Sequence, residues 1–497
     1  MTRKYKLNFK QVLFAGLVAA IGFTGCKKYL DVNTNPNNPS TIDDPAFLLP
    51  TTQAALGQVM GNQFQVFGNI WAQYWTQSPN SSQYKIIEQY NDPASDFDRP
   101  FQNLYQVALI NADKIIKSSV PQLENTKGIA YLMKAYALQV ATDAFGDVPL
   151  TQALQGTANL NPKYEPQQAV YDSIFLYINK AMPLLNVTTA ISPGGEDLIF
   201  QGDMTQWTAF ANTLKLRAYL RIYKANPAKA QAGIQALYAA GATFLTQDAS
   251  IQYLTTGGNE NPLYNEMASP QLNKTQNVVA SSTAVNAFAA NNDPRLAKFY
   301  DLVTPSATKL ISIPQGSYDS FVGKQVSPPS ALVGARAINP ASATAPVKFM
   351  SAAESYFLQA EAVARGWSNG TGNVAALYTA GIAASFAATG AGDPTAYTAT
   401  APDALPALTA AVTVNDKVKA IITQKYYAMC GFQGFEAWTE WRRTGFPIFF
   451  NTNSPASAIG HGITNMPYRM LYSNEEAVTN SNFPGLVPIN TPVWWGK

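Results

Sequence analysis

Residues that most enzyme and metal chemistry requires are scarce in this sequence. Two cysteines in 497 residues give no disulfide framework and no cysteine metal cluster. A single histidine, His461, excludes zinc sites built from several imidazoles and leaves one residue for any histidine-dependent triad. It lies in Gly460-His461-Gly462, which reads as loop, and no nucleophile motif accompanies it. Charge is thin as well, at 13% of the chain. The net charge of +3 includes Arg3, Lys4, Lys6 and Lys10, and without those four the balance is 30 basic against 31 acidic groups. Such a balance gives no electrostatic case for nucleic acid. The longest apolar run, Val12 to Phe23, is far short of the ~20 residues of a spanning helix.

That short run is the most informative stretch present. It follows a purely basic segment and leads into Thr24-Gly25-Cys26, the pattern of a secretory signal with a lipobox-like ending. Residues 1–25 are expected to be removed. Cys26 would then carry diacylglycerol and further acyl chains such as palmitate, each buried methylene adding about 0.8 kcal/mol of membrane affinity. The other reading is an ordinary cleaved signal peptide with an incidental cysteine.

Lys27 to Thr41, with Pro36 and Pro39 among four asparagines, fits no regular element and reads as a leash or a laid-down extended segment. From Gln53, Leu56, Met60, Phe64, Phe67, Trp71 and Tyr74 recur at helical spacing and stop before Ser78-Pro79, with Trp71 and Tyr74 as core. Further helical periods run through Phe101 to Ile115 and Ile129 to Val140, the second ending at Gly146 and Pro149. Others start near Pro166, at Asp203 and at Asn226-Pro227. Between Phe244 and Val347, frequent Pro and Gly break every long period, so this stretch is expected to be functional loop or a cover over the helices. Helix resumes at Ser351-Ala352-Ala353-Glu354, a capping-box pattern, and its partner runs from Asn373 to Gly390. A last pair spans Asn415 to Met429 and Phe435 to Trp441. The expected fold is mainly α: tetratricopeptide-like helical pairs with a repeat near ~34 residues, packed against a loop-rich half. We expect one domain over residues 26–497, with a helical body at about 53–241 and 351–441 and the cover at about 244–347.

Several stretches in order resemble the SusD/RagB family of nutrient-binding outer-membrane lipoproteins, and within it the SusD-like subgroup. They are Cys26 to Pro39, Ala135 to Leu154, Trp207 to Ile222, Asp293 to Leu296, Phe349 to Gly366, Gln424 to Pro447, and Pro467 to Tyr472 leading into Glu475-Glu476 and Asn480. The resemblance implies tetratricopeptide-like pairs against a loop-rich half, a place on the outer membrane facing the cell exterior, and a partner: a SusC-type TonB-dependent barrel transporter over which such proteins sit as a lid. It also implies capture of a nutrient rather than catalysis; the residues themselves offer no cofactor or metal-ligand motif.

Glu436 and Glu440, four residues apart, would share a helix face, and paired carboxylates can hydrolyse glycosides. The adjacent Arg442 and Arg443 offer charge compensation instead. Binding has better support, because a sugar needs flat aromatics to stack on and amides to meet its hydroxyls. Trp75, beside Gln77, Pro79 and Asn80, is one candidate; Tyr84 and Tyr90 in the following loop are two more; Tyr264, in an Asn-rich run from Asn259 to Asn265, is the fourth. Each of them could equally cap a core edge. A scaffold that binds another protein's peptide in a helical groove, and capture of peptide rather than glycan, are the alternative functions.

Overall fold

Helix caps and breakers cut the chain much as the periodicities suggest. The computed structural model describes residues 44–268, 273–451 and 466–496. Cys26, the leader, the leash and His461 lie outside the described residues. The helices that matter here are α1 (Pro45–Gly61), α2 (Gln63–Trp71), α3 (Ile110–Lys117), α4 (Glu124–Phe145), α5 (Gln167–Ala181), α6 (Met204–Arg221) and α7 (Pro227–Ala239). After them come α8 (Pro262–Met267), α9 (Ser282–Ala290), α10 (Ala352–Ala364), α11 (Val374–Thr389), α12 (Val414–Met429) and α13 (Gly434–Thr444). Among the described residues, six short strands, β1 (Trp75–Gln77), β2 (Val148–Pro149), β3 (Tyr164–Glu165), β4 (Ala249–Ile251), β5 (Val278–Ala280) and β6 (Val347–Met350), pair in twos as β1 with β5, β2 with β3 and β4 with β6, all antiparallel. The protein is mainly α, as expected.

Local chemistry accounts for most boundaries. The Asp203 side chain accepts hydrogen bonds from Thr205 N and Gln206 N at the start of α6, and Asn226 caps α7 by accepting from Lys229 N. Asn373 caps α11, which ends at Gly390 in the left-handed region that glycine tolerates best. The single helical stripe expected from Gln53 is two helices. α1 starts earlier, at Pro45, and the chain breaks at Asn62, where the backbone leaves helical geometry. Gly61 sits at that break against Val347 of β6, whose side chain fills the space a Cβ would need. The stripe also ends differently: after Trp71 the chain turns into β1.

Helices pack as neighbours in sequence: α4 on α5, α6 on α7 and α10 on α11. Gly381 makes the last pair possible, since a Cβ there would lie 2.8 Å from the Phe357 ring. The closure between the two ends of the chain is the contact of α2 with α13. It is a backbone contact: a Cβ on Gly68 would sit 2.0 Å from Phe435 N, and one on Gly434 would sit 2.4 Å from Asn69 N. Phe64 and Phe435 stack across it with ring centroids 4.9 Å apart.

Under this closure lies a buried ion network. Arg221 of α6 bonds Glu436 and, at 3.1 Å, Glu440 of α13, with Asp143 of α4 at 3.5 Å. Arg443 bonds Glu361 of α10 and Glu440, each at 2.6 Å, and Lys425 of α12 lies 3.4 Å from Glu440. The compensation expected of Arg442 is absent from this set. Its guanidinium donates to the carbonyls of Asp143 and Tyr468 and to Thr439 Oγ1, and burial pushes its pKa down to about 9. Glu436 and Glu440 are thus interior struts, 6% and 3% exposed, bonded to cations from three helices.

The segment between residues 244 and 347 is held at both ends by the β4–β6 pair and in its middle by β1–β5. Residues from Pro45 onward form one compact unit. Among the described residues, no helix is long and apolar enough to cross a membrane.

Candidate ligand-binding site

The loop-rich segment meets α1 along a row of amides. Asn62 Nδ2 donates to Pro262 O at 3.1 Å, which docks the start of α8 against the end of α1. Asn261 then works in three directions. Its side chain caps α8 by accepting from Leu263 N and Tyr264 N, its Nδ2 donates to Ala345 O, and its own N donates to Ala343 O. Gly334 must be glycine-like beside it: φ is +74° and a Cβ would lie 2.8 Å from Asn261 Oδ1.

Between α1, α8 and the loop after β4 lies an open cavity of about 640 Å3. Gln58 of α1 and Asn62 just beyond it form one wall, and Asn265 and Glu266 of α8 another. Gln252, Tyr253, Asn259 and Glu260 come from the intervening loop, and the exposed Arg99 closes one side. The loop is shaped by its own contacts, with Leu254 N donating to Asn259 O and Gly258 N to Glu260 Oε2, both at 2.8 Å. Gly57 lets the Tyr253 hydroxyl approach α1, because a Cβ there would be 2.8 Å from it; burial pushes that phenol's pKa up. Leu198 is positioned from α1, its N donating to Gln53 Oε1 at 2.8 Å. The volume falls in the ordinary range for small-molecule sites, and the wall is rich in amides that can both donate and accept.

The structure distributes the four aromatic candidates unevenly. Trp75 is fully enclosed in β1, where it pairs with Ala280 and its carbonyl accepts from Gln315 Nε2 at 3.1 Å. Tyr90 is 5% exposed and Tyr84 7%. These three rings present no open face for stacking in this conformation; they are packed as core edges. Tyr264 is half-buried on the first turn of α8. Tyr84 nonetheless joins the site from behind, since its hydroxyl donates to Glu266 Oε1 at 2.8 Å and fixes one wall of the cavity. Burial, with Glu266 next to it, pushes the Tyr84 pKa well up, so it stays a donor.

Gln58, Asn62 and Arg99 were missed in the sequence because the first two fall in a stretch read for its apolar stripe and Arg99 falls between the loop after β1 and the helical period that starts at Phe101. The Asn259 to Asn265 run was visible, and it supplies the far wall. Among the described residues, no cluster of His, Cys, Asp and Glu could hold a metal ion.

Comparison with known proteins fits this architecture. The model of a SusD-like family, described as starch-binding associating with outer membrane, matches residues 36–473. Similar solved structures include a chitin-binding SusD homologue from Flavobacterium johnsoniae, with 24% identity, TM-score 0.73, and coverage of 90% of this chain and 98% of that one. A structure described as a chitin-binding protein has 25% identity and TM-score 0.74 over 91% of this chain and all of that one (100%). A SusD homologue from Bacteroides uniformis has 24% identity and TM-score 0.75 over 91% and 99%. No curated protein matches the sequence significantly.

Proposed function

The chain belongs to the SusD-like family, and from that premise we propose that it is a lipoprotein of the outer membrane, anchored through Cys26, that captures a neutral oligosaccharide at the cell exterior and delivers it to a SusC-type TonB-dependent barrel. The observation that carries the reading is the family match over residues 36–473, read together with the amide-lined cavity of about 640 Å3 between α1 and α8. Two relatives of the same fold are described as chitin-binding, which favours glycan over peptide as the cargo.

Gln58, Asn62, Asn259 and Asn265 line the cavity and meet hydroxyls, and Tyr264, half-buried on α8 between the lining residues Pro262 and Asn265 but not itself in the lining, supplies a stacking face beside it. Tyr84 acts through Glu266, and Trp75 and Tyr90 are packed in the core and meet no ligand. No catalytic role is assigned to any of them. Replacing a stacking aromatic by Ala removes roughly 2 kcal/mol or more, about thirtyfold in affinity. Tyr264→Ala should therefore weaken binding of a cognate tetrasaccharide about thirtyfold, measured by calorimetry, with the thermal midpoint unchanged. A lowered midpoint with unaltered affinity in the folded fraction would move the site elsewhere. For the partner and the anchor, mild detergent extraction should bring down a large β-barrel with the protein, and Cys26→Ser should abolish labelling by a palmitate analogue. A clean monomer extracted from a membrane that contains the barrel would count against delivery.

A further inference from the structure

A second cavity, of about 550 Å3, shares no lining residue with the first. One wall is a face of α9: Thr283, Asn286, Ala287 and Ala290 line it, at the spacing that places residues on one side of a helix. Opposite stand Gln315, Asp403, Phe449 and Asn451. We propose that this cavity is a second carbohydrate site, sized for one or two neutral sugar rings, with Phe449 as its stacking platform. The inference rests on the reading that the protein captures oligosaccharides.

The cavity's walls are fixed before any ligand arrives. Gln73, at φ +58°, clamps two of them: its Oε1 accepts from Thr283 Oγ1 at 2.9 Å and from Asn451 N at 3.0 Å, while its Nε2 donates to Asn451 O at 2.7 Å. Asp403 is oriented from behind, its Oδ2 accepting from Tyr427 Oη at 2.7 Å and Asn291 Nδ2 at 2.8 Å. Its other carboxylate oxygen takes no part in those bonds. Phe449 is half-buried and lies nearly parallel to Tyr427, 21° between planes with centroids 6.2 Å apart, and edge-on to Tyr426 at 5.3 Å. Its ring is thus held at a set angle with a flank in the cavity.

The chemistry selects the ligand. An aromatic flank, with Ala287, Ala290 and Pro314 around it, suits the C–H face of a sugar ring. Exposed amides at Asn286 and Asn451 suit its hydroxyls, and a carboxylate accepts from two of them at once. Among the described residues, no lysine or arginine lines the cavity, so an anionic ligand would meet Asp403 without a counter-charge. Stacking and amides, with no cation, describe a neutral saccharide.

Calorimetry on the detergent-solubilised full-length protein tests this, with tetrasaccharides of β-1,4-linked N-acetylglucosamine and of α-1,4-linked glucose as probes. Wild type should bind one of them at two sites. Phe449→Ala should weaken one site by about tenfold or more. Because that ring also packs on Tyr426 and Tyr427, two exposed positions serve as controls for folding: Asn286→Ala should weaken the same site, and Ala290→Trp should fill it and reduce the stoichiometry to one. Loss of binding in Ala290→Trp with retention in Tyr264→Ala supports this cavity even if the α8 site fails. A single site that disappears in Tyr264→Ala and ignores all three cavity substitutions overturns the second site and leaves surface capture standing. No heat with either probe overturns both.

Discussion

Glu88 is buried against neutral partners: Gln77 N donates to its Oε2 at 3.0 Å and Gln315 Nε2 to its Oε1. Burial pushes its carboxyl up to about 7 from the ordinary value of 4.5. The folded state therefore holds a proton that the unfolded chain gives up, and stability present below about pH 4.5 is lost as pH rises through about 7. The full swing is roughly 3 kcal/mol for a shift of this size. Thermal midpoints of wild type should fall between pH 5 and pH 8 by more than those of Glu88→Gln; parallel profiles would show that the carboxyl is ionised throughout. The same neighbourhood shows why single aromatics misled the reading of the sequence. Trp75 follows a helical stripe and precedes Pro79 and Asn80, which looks like an exposed loop entrance. Its burial depends on β5, about 200 residues downstream, and no local pattern announces a three-residue strand that pairs so far away. Tyr264 lies half-buried on the first turn of α8, which begins within the Asn-rich run itself.

At the scale of elements, the legible features were those whose cause is local. Ser351 caps α10 as its pattern suggests, accepting from Glu354 N at 3.1 Å. The return half of the box is missing, however, because Glu354 turns to Gln433 Nε2 at 2.8 Å and Arg217 at 3.4 Å. The reciprocal box is at Thr413 and Asp416, two residues before the helix start read from the sequence. Tertiary ion pairing outcompetes a local cap when the carboxylate is buried. Removing Ser351 should cost only about 1 kcal/mol as Ser351→Ala. Glu440→Ala should cost far more, about 3 to 5 kcal/mol, because Arg221, Arg443 and Lys425 are left as buried, under-compensated cations. Denaturant unfolding of the two variants would rank them, and equal losses would mean that the network is solvated. Glycine at the α2–α13 crossing was not legible at all, since Gly68 reads as a mild helix weakener until Phe435 is seen against it.

The whole molecule is closed by contacts between the loop-rich segment and both groups of helices. Gln65 Nε2 of α2 donates to Val333 O at 3.0 Å, and the Tyr300 hydroxyl donates to Tyr74 O at 2.8 Å. Arg295, fully buried, donates to Ser385 of α11 at 2.9 Å, to Tyr397 at 3.1 Å and to Gln424 of α12 at 3.2 Å, while Asp293 balances its charge at 2.6 Å. With β4 and β6 paired at its base, the segment has anchors on the early helices and the late ones, so its irregular backbone is fastened at many points and not hung from its ends. This predicts how the protein behaves when cut. Residues 255–259 are exposed and form the tip of the loop after β4, the kind of site at which proteases nick folded chains. A nick there severs the chain without removing any of the anchors just named, so the fragments should remain together on size exclusion under native conditions and should part only at the thermal midpoint of global unfolding. Fragments that separate well below that midpoint would show the early helices and the rest of the chain to be independent bodies, and the reading of residues 26–497 as one domain would fall with them.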